Sequence, residues 1–270
     1  MNEIFSMTNS TKLISLEGKQ YILRLPGVGT DKLINRQQEY EVYKTIAPYK
    51  ISDEVLFFDK TTGVKIAKYI ANCHNVNPNN IDEVRLAIKA MHRLHDLHLS
   101  VDFEFNLKER IEFYEILMKK SKYNDYGIIK EKILKLLDRV STMIDDKCLC
   151  HIDPNQDNIL IDNESNEVRA LVDWEYAAMQ DPLVDVAMFC IYAGYGKDMI
   201  DIALRMYCRD MHPTESTIFK YYTYIASCGL LWSNWCEYKN QLGQDFGGAY
   251  ELSQYNYAKT FSKYAEEYAE

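Results

Sequence analysis

No apolar run in this sequence approaches the ~20 residues needed to cross a bilayer, and its first residues carry no secretory signal pattern. The expectation is a cytoplasmic protein without membrane insertion. A disulfide framework is missing too. The seven cysteines, at positions 73, 148, 150, 190, 208, 228 and 236, make no even set, and several lie in apolar runs. They read as reduced core thiols. There is no C-x-x-C pair, and Cys148-Leu149-Cys150 alternates as on a strand, so zinc is not expected. Positive charge is in deficit: 31 Lys and Arg against 40 Asp and Glu leave a net −9. That argues against nucleic acid as a partner and suits a cationic small molecule. Internal repeats and low-complexity segments are absent. What is present is 270 residues, 47% hydrophobic, enough for one enzyme of two lobes sharing a cleft. The oligomeric state is not legible.

The stretch from Cys148 to Asp185 holds the densest chemical signal. It reads C-L-C-H-I-D-P-N-Q-D-N-I-L-I-D and later L-V-D-W-E-Y-A-A-M-Q-D-P-L-V-D. Asp153 follows His151 by two positions, Asn158 follows Asp153 by five, and Asp173 ends a second apolar run. Phosphoryl transfer needs a carboxylate to orient the attacking hydroxyl and take its proton, and oxygen ligands for Mg²⁺ on the nucleotide phosphates. A loop at Asp153 presents that carboxylate. An apolar strand from Ile159, a turn at 162–166 rich in turn formers and a return strand from Val168 bring Asp173 back beside Asn158. H-x-D-x-x-x-x-N alone matches by chance often, and a plain polar hairpin is the competing reading. The flanking strands and the second Asp make the pattern specific.

H-I-D-P-N-Q-D-N-I-L with V-D-W-E-Y-A resembles the choline/ethanolamine kinase family, which stands with the aminoglycoside phosphotransferases in the protein-kinase-like superfamily. Ile152 departs from that pattern, since choline kinases usually carry Asn there and aminoglycoside kinases Gly. The resemblance implies an α+β fold of two lobes. A small antiparallel-sheet N-lobe is expected over residues 1–71, and a mainly helical C-lobe over 72–270. It implies ATP and Mg²⁺ as cofactors, Asp153 as base, and Asn158 and Asp173 as metal ligands. An Asp at the position of Asp185 would buttress the catalytic loop.

In the N-lobe, residues 1–25 read as a hairpin turning at Ser6–Ser10, with Tyr21–Leu25 as an apolar strand. By resemblance Thr8, Asn9 and Ser10 belong to a phosphate-holding loop, with Ser6 in a usual Gly position; an ordinary hairpin turn is the alternative. Arg24 takes the place of the kinase strand lysine, and Glu39 would pair with it on a helix from Asp31 to Ile46. Val55–Asp59 and Val64–Ile70 read as strands, and Lys68–Ala71, with Tyr69 and Ile70, as the hinge whose backbone meets adenine.

Helices are expected over Asp82–Leu99, Leu107–Lys122 and 128–145, then from Asp185 through Tyr192, over Met199–Met211, Thr214–Tyr238 and Ala249–Glu267. His92, His95 and His98 recur every three residues; core or interface roles suit them better than a metal. Trp232 and Trp235 share a helix face. Aromatic faces hold quaternary ammonium groups, and the resemblance places this W-x-x-W in a choline pocket, against the alternative of two core tryptophans. Glu175, Tyr176 and Tyr192 are further substrate-side candidates. Many choline kinases carry Glu where Tyr192 falls. The expected activity is ATP-dependent phosphorylation of a small amino alcohol, choline first. Ethanolamine, thiamine or an aminoglycoside are alternative acceptors, and a catalytically inactive kinase-like binding protein is the alternative class. No A-P-E segment follows Asp173, which argues against a protein kinase.

Overall fold

Five antiparallel strands open the chain: β1 (Asn2–Ile4), β2 (Ser10–Leu16), β3 (Lys19–Leu25), β4 (Val55–Phe58) and β5 (Lys65–Lys68), in the order β1-β2-β3-β5-β4. The computed structural model describes residues 2–4, 9–143, 147–209 and 211–269. β2 and β3 turn at Glu17-Gly18, with φ of 50° and 75°. Two consecutive positive φ values match strand twist in a two-residue hairpin. The expected turn at Ser6–Ser10 is not this one. Ser10 already pairs with Leu25, and Ser6, Met7 and Thr8 lie outside the described residues. Thr11, Arg24 and Lys65 stand opposite one another across β2, β3 and β5, so they share a face of the sheet, along with Ile22 two residues earlier.

The single helix expected from Asp31 to Ile46 is two: α1 (Thr30–Leu33) and α2 (Arg36–Ile46). Asn35 divides them. Its backbone is extended, and its Oδ1 accepts from the amides of Gln37 at 3.1 Å and Gln38 at 3.2 Å. An N-cap inside the run starts a new helix there, and Arg36 and Glu39 in its first turn are buried.

The rest is mainly helical, around two small sheets. β6 (Cys73–Asn75), β8 (Ile159–Asp162) and β9 (Val168–Leu171) pair in the order β6-β8-β9, and β7 (Cys148–Cys150) pairs with β10 (Ala178–Gln180). The helices are α3 (Ile81–His95), α4 (Leu107–Met118), α5 (Tyr126–Ser141), α6 (Leu183–Tyr192), α7 (Lys197–Tyr207), α8 (Glu215–Gln241) and α9 (Gly248–Glu267). None of the described helices is long and apolar enough to cross a membrane.

α8 is the axis of this half. Its 27 residues span roughly 40 Å. Every residue from Tyr221 to Lys239 is buried, as expected of a helix enclosed by others. Its partners are α4, α5, α6 and α9. Gly229 lets α9 approach: a Cβ there would stand 2.6 Å from the Gln254 carbonyl oxygen and 2.7 Å from the Tyr257 Cβ. Backbone cannot yield as a flexible side chain does, so Gly229→Ala is expected to cost about 1–3 kcal/mol by overpacking. A thermal melt followed by circular dichroism checks it; an unchanged melting temperature would mean the two helices slide apart freely.

Candidate active site

β7 delivers the chain into the loop at His151, and Asp185 on the first turn of α6 fixes that loop. The Asp185 carboxylate, fully buried, accepts from the backbone N–H of His151 at 2.8 Å and of Ile152 at 2.7 Å. His95 Nε2 reaches it at 3.0 Å, and His95 Nδ1 meets the Tyr207 hydroxyl at 2.8 Å. Ile152 has φ 68° and is wholly buried. A β-branched residue in the left-handed region costs on the order of 1–3 kcal/mol, and this is the position where the family resemblance expects Asn or Gly, residues that tolerate it. The two amide bonds to Asp185 hold the backbone there. Burial pushes the His151 pKa down; its neutral ring donates from Nε2 to the Val172 carbonyl at 2.9 Å.

Asp153 is held by two asparagines. Asn155 Nδ2 donates to its Oδ1 at 3.1 Å, and Asn158 Nδ2 to its Oδ2 at 3.2 Å and its carbonyl at 2.8 Å. Burial pushes the Asp153 carboxyl up to about 8, with the Asp173 charge adding and the Tyr192 hydroxyl and Asn155 opposing. The β8–β9 hairpin brings Asp173 in. The Val172 amide donates to the Asn158 carbonyl at 2.9 Å, tying the residue before Asp173 to the loop. The two Nδ2 bonds of Asn158 leave its Oδ1 as an acceptor.

Across the cleft stands a buried charge cluster. Arg24 Nη1 lies 2.5 Å from Glu39 Oε1 and 3.1 Å from Asp173 Oδ1, and its Nη2 donates to the Gly63 carbonyl at 3.0 Å. Arg36 Nη1 bonds Glu39 Oε2 at 2.7 Å and Glu175 Oε2 at 2.9 Å. Asn9 Nδ2 donates to the same Glu175 oxygen at 2.9 Å. Burial and the Asp173 charge push the Glu175 pKa up, with the arginines opposing. Glu175 therefore stands in this cluster and not in the acceptor pocket, because Arg36 draws it toward α2. Asn9 likewise faces Glu175, Ser10 is the first residue of β2, and Thr11 lines the cleft instead.

The cleft encloses about 460 Å³. Toward the sheet, Ile22, Tyr69, Ile70 and Leu160 line it. In the segment expected as the hinge two amides are already spent, that of Lys68 on the Glu54 carbonyl at 2.9 Å and that of Tyr69 on the Gln20 carbonyl at 3.2 Å. On the other side of Asp153, Tyr192, Trp232, Trp235 and Tyr250 form the wall. Trp232 lies edge-on to Trp235 at 5.3 Å and 5.4 Å from Tyr192. Tyr176 stands behind this wall, edge-on to Trp232 at 5.8 Å, and is not among the lining residues.

Sequence reasoning overlooked Arg36, Tyr250 and Lys65. Arg36 had a signal in its i, i+3 spacing from Glu39. Lys65, buried between Asp53 Oδ2 at 3.0 Å and the Tyr43 hydroxyl at 2.5 Å, is visible only through strand register. Tyr250 carried no local signal.

A catalytic hairpin, an arginine-aligned sheet and a deep cleft between them define a small-molecule kinase of the protein-kinase-like type. The model of the phosphotransferase enzyme family matches residues 6–216, and the chain belongs to that family. The chain is 27% identical over 262 residues to Protein LicA of Haemophilus influenzae, covering 91% of this chain and 75% of that one. Among solved structures, choline kinase LicA from Streptococcus pneumoniae superposes with a TM-score of 0.83 at 26% identity, covering 97% of this chain and 92% of that one. A structure of LicA in complex with AMP superposes at 0.82, with 26% identity and coverage of 97% and 90%. The chain is thus a phosphotransferase with an alcohol group as acceptor.

Arg36→Met tests the charge cluster. Losing that guanidinium strips Glu175 and Glu39 of a buried partner, at an expected 3–5 kcal/mol. Arg36→Lys, a point charge in place of a planar fork, should lose less stability yet raise the KM for ATP. Chemical denaturation alongside steady-state kinetics checks both; wild-type stability in Arg36→Met would show the cluster reorganises without it.

Proposed function

We propose that the chain transfers the terminal phosphoryl group of ATP, with Mg²⁺, to the hydroxyl of choline. The observation that carries this is the wall of Trp232, Trp235, Tyr192 and Tyr250 beside Asp153. A trimethylammonium group donates no N–H hydrogen bond and is held by aromatic faces, at ~0.5–2 kcal/mol per well-placed ring. A primary ammonium such as that of ethanolamine, or the amines of an aminoglycoside, call for carboxylates, and Tyr192 stands where many choline kinases place a Glu.

In this reading Asp153 orients the acceptor hydroxyl and takes its proton, while the two asparagines keep its carboxylate aimed. The donor set fits Mg²⁺, a hard cation that prefers oxygen: the Asn158 Oδ1 and the Asp173 oxygen not bound to Arg24 are the ligands this chain offers. Bound there, the ion would offset the negative charge of the phosphates during transfer. Arg24, fixed by Glu39 and the Gly63 carbonyl, orients phosphates from the sheet side, and the cleft between Ile22 and Leu160 takes the adenine.

Asp153→Asn is expected to remove turnover while leaving Mg·ATP affinity within about three-fold; Asp173→Ala should remove turnover by weakening Mg·ATP about ten-fold or more. Calorimetry beside kcat separates them, and equal affinity losses would reverse the assignment. The acceptor is tested by ³¹P detection of product from a panel of choline, ethanolamine, thiamine and aminoglycosides. Choline should lead. Trp232→Leu stays apolar but removes the ring, so the choline KM should rise roughly ten-fold with the ATP KM nearly constant. Preferential phosphorylation of a primary amine would sink the choline reading.

A further inference from the structure

The helix that supplies Trp232 and Trp235 continues one turn further to Lys239, whose surroundings are unusual for a lysine. Its side chain is fully buried. Its Nζ donates to the Val28 carbonyl at 2.9 Å and lies 5.5 Å from the centroid of the Trp235 ring. Among the described residues no carboxylate stands within ion-pair distance of it. Burial pushes its pKa down, with the Glu175 charge opposing. An enclosed ammonium needs several partners to offset its lost hydration, and here one carbonyl and one aromatic ring serve.

The two partners belong to different lobes. Val28 sits in the N-lobe loop between β3 and α1, its residue 62% exposed while its carbonyl turns inward to α8. The same seam is close-packed at Gly29, which has φ 76° and where a Cβ would meet Leu242 Cδ1 at 2.6 Å and the Tyr238 hydroxyl at 3.3 Å. The loop runs on through α1 to Arg36 and Glu39 of the charge cluster. Trp235 lines the acceptor side of the cleft.

We infer that Lys239 is a positioning residue that couples seating of the N-lobe loop 27–30, when nucleotide is bound, to the acceptor pocket at Trp235. With the loop seated, the Val28 carbonyl holds the ammonium in place behind the indole ring. With the loop withdrawn, the buried ammonium loses the one hydrogen-bond acceptor it has among the described residues and must shift, and the ring packed against it shifts too. A contact present in one lobe arrangement and absent in the other is the differential interaction that coupling between two ligands requires. The inference rests on the acceptor assignment of Trp232 and Trp235 made above.

The test is calorimetric titration of choline with and without a saturating non-hydrolysable ATP analogue and Mg²⁺. In wild type the analogue should tighten choline by about 5- to 10-fold. Lys239→Met keeps length and burial but removes the charge; the ratio should fall to about one while the analogue's own affinity stays within about two-fold. A purely structural lysine would lower the melting temperature and leave the ratio intact. Leu242→Ala, at a 37% exposed position on the same seam, loosens the loop contact without touching Lys239 and should lower the ratio in part; it decides the matter if Lys239→Met does not fold. A wild-type ratio of one, or a wild-type-like ratio in the variants, overturns the coupling and leaves choline as substrate. Failure of wild type to bind choline at all overturns the acceptor assignment and this inference with it.

Discussion

Everything near the cleft depends on the requirement that buried charge be paired. Arg24 and Arg36 face Glu39, Asp173 and Glu175, so three carboxylates meet two guanidiniums. The cluster joins β3, α2 and the segment after β9, which places the sheet over the catalytic hairpin. It also leaves surplus negative charge at Asp173, whose side chain is 25% exposed while those of Glu39 and Glu175 are nearly sealed. A site built this way leaves one carboxylate accessible and keeps the others as scaffold.

The catalytic loop is held by a different device. Asp185 takes two consecutive backbone amides and the ring of His95, and that grip keeps Ile152 in a left-handed conformation it would not choose alone. The strain is local, but the constraint is tertiary: α3, α6 and the strand β7 all meet at one carboxylate. Asp153, the proposed base, follows directly, so its position depends on the packing of the C-lobe as much as on its own loop.

α8 links the acceptor wall to the rest of the molecule. One face of it carries Trp232 and Trp235, another packs closely on α9 at Gly229, and its end meets the N-lobe loop at Lys239 and Leu242. The wall of the cleft on such an element is thus packed against both the C-lobe helices and the N-lobe loop. Product release and nucleotide entry share that cleft, so a mechanical link between the two sides is of direct use to a kinase.

Much of the site was legible in sequence because the catalytic stretch is local. Asp153, Asn158 and Asp173 fall within one hairpin, and spacing plus apolar alternation suffices to bring them together. The two-lobed α+β architecture was implied by the family resemblance, with strands giving way to long helical periods as it would require. The break at Asn35 was less visible, since a capping residue inside a helical run competes with periodicity and wins only through its own side-chain bonds. The role of Glu175 was beyond sequence altogether. Adjacent numbering placed it with the substrate candidates, whereas Arg36, 139 residues away, draws it into the charge cluster. The same holds for Lys65, Tyr250 and Lys239: their partners lie on other strands, other helices or the other lobe, and no pattern along the chain encodes such distances. What the chain determined by itself is which polar residues one hairpin gathers. What tertiary structure alone decided is which distant charges neutralise one another, because burial, not proximity in sequence, sets the cost of leaving a charge unpaired.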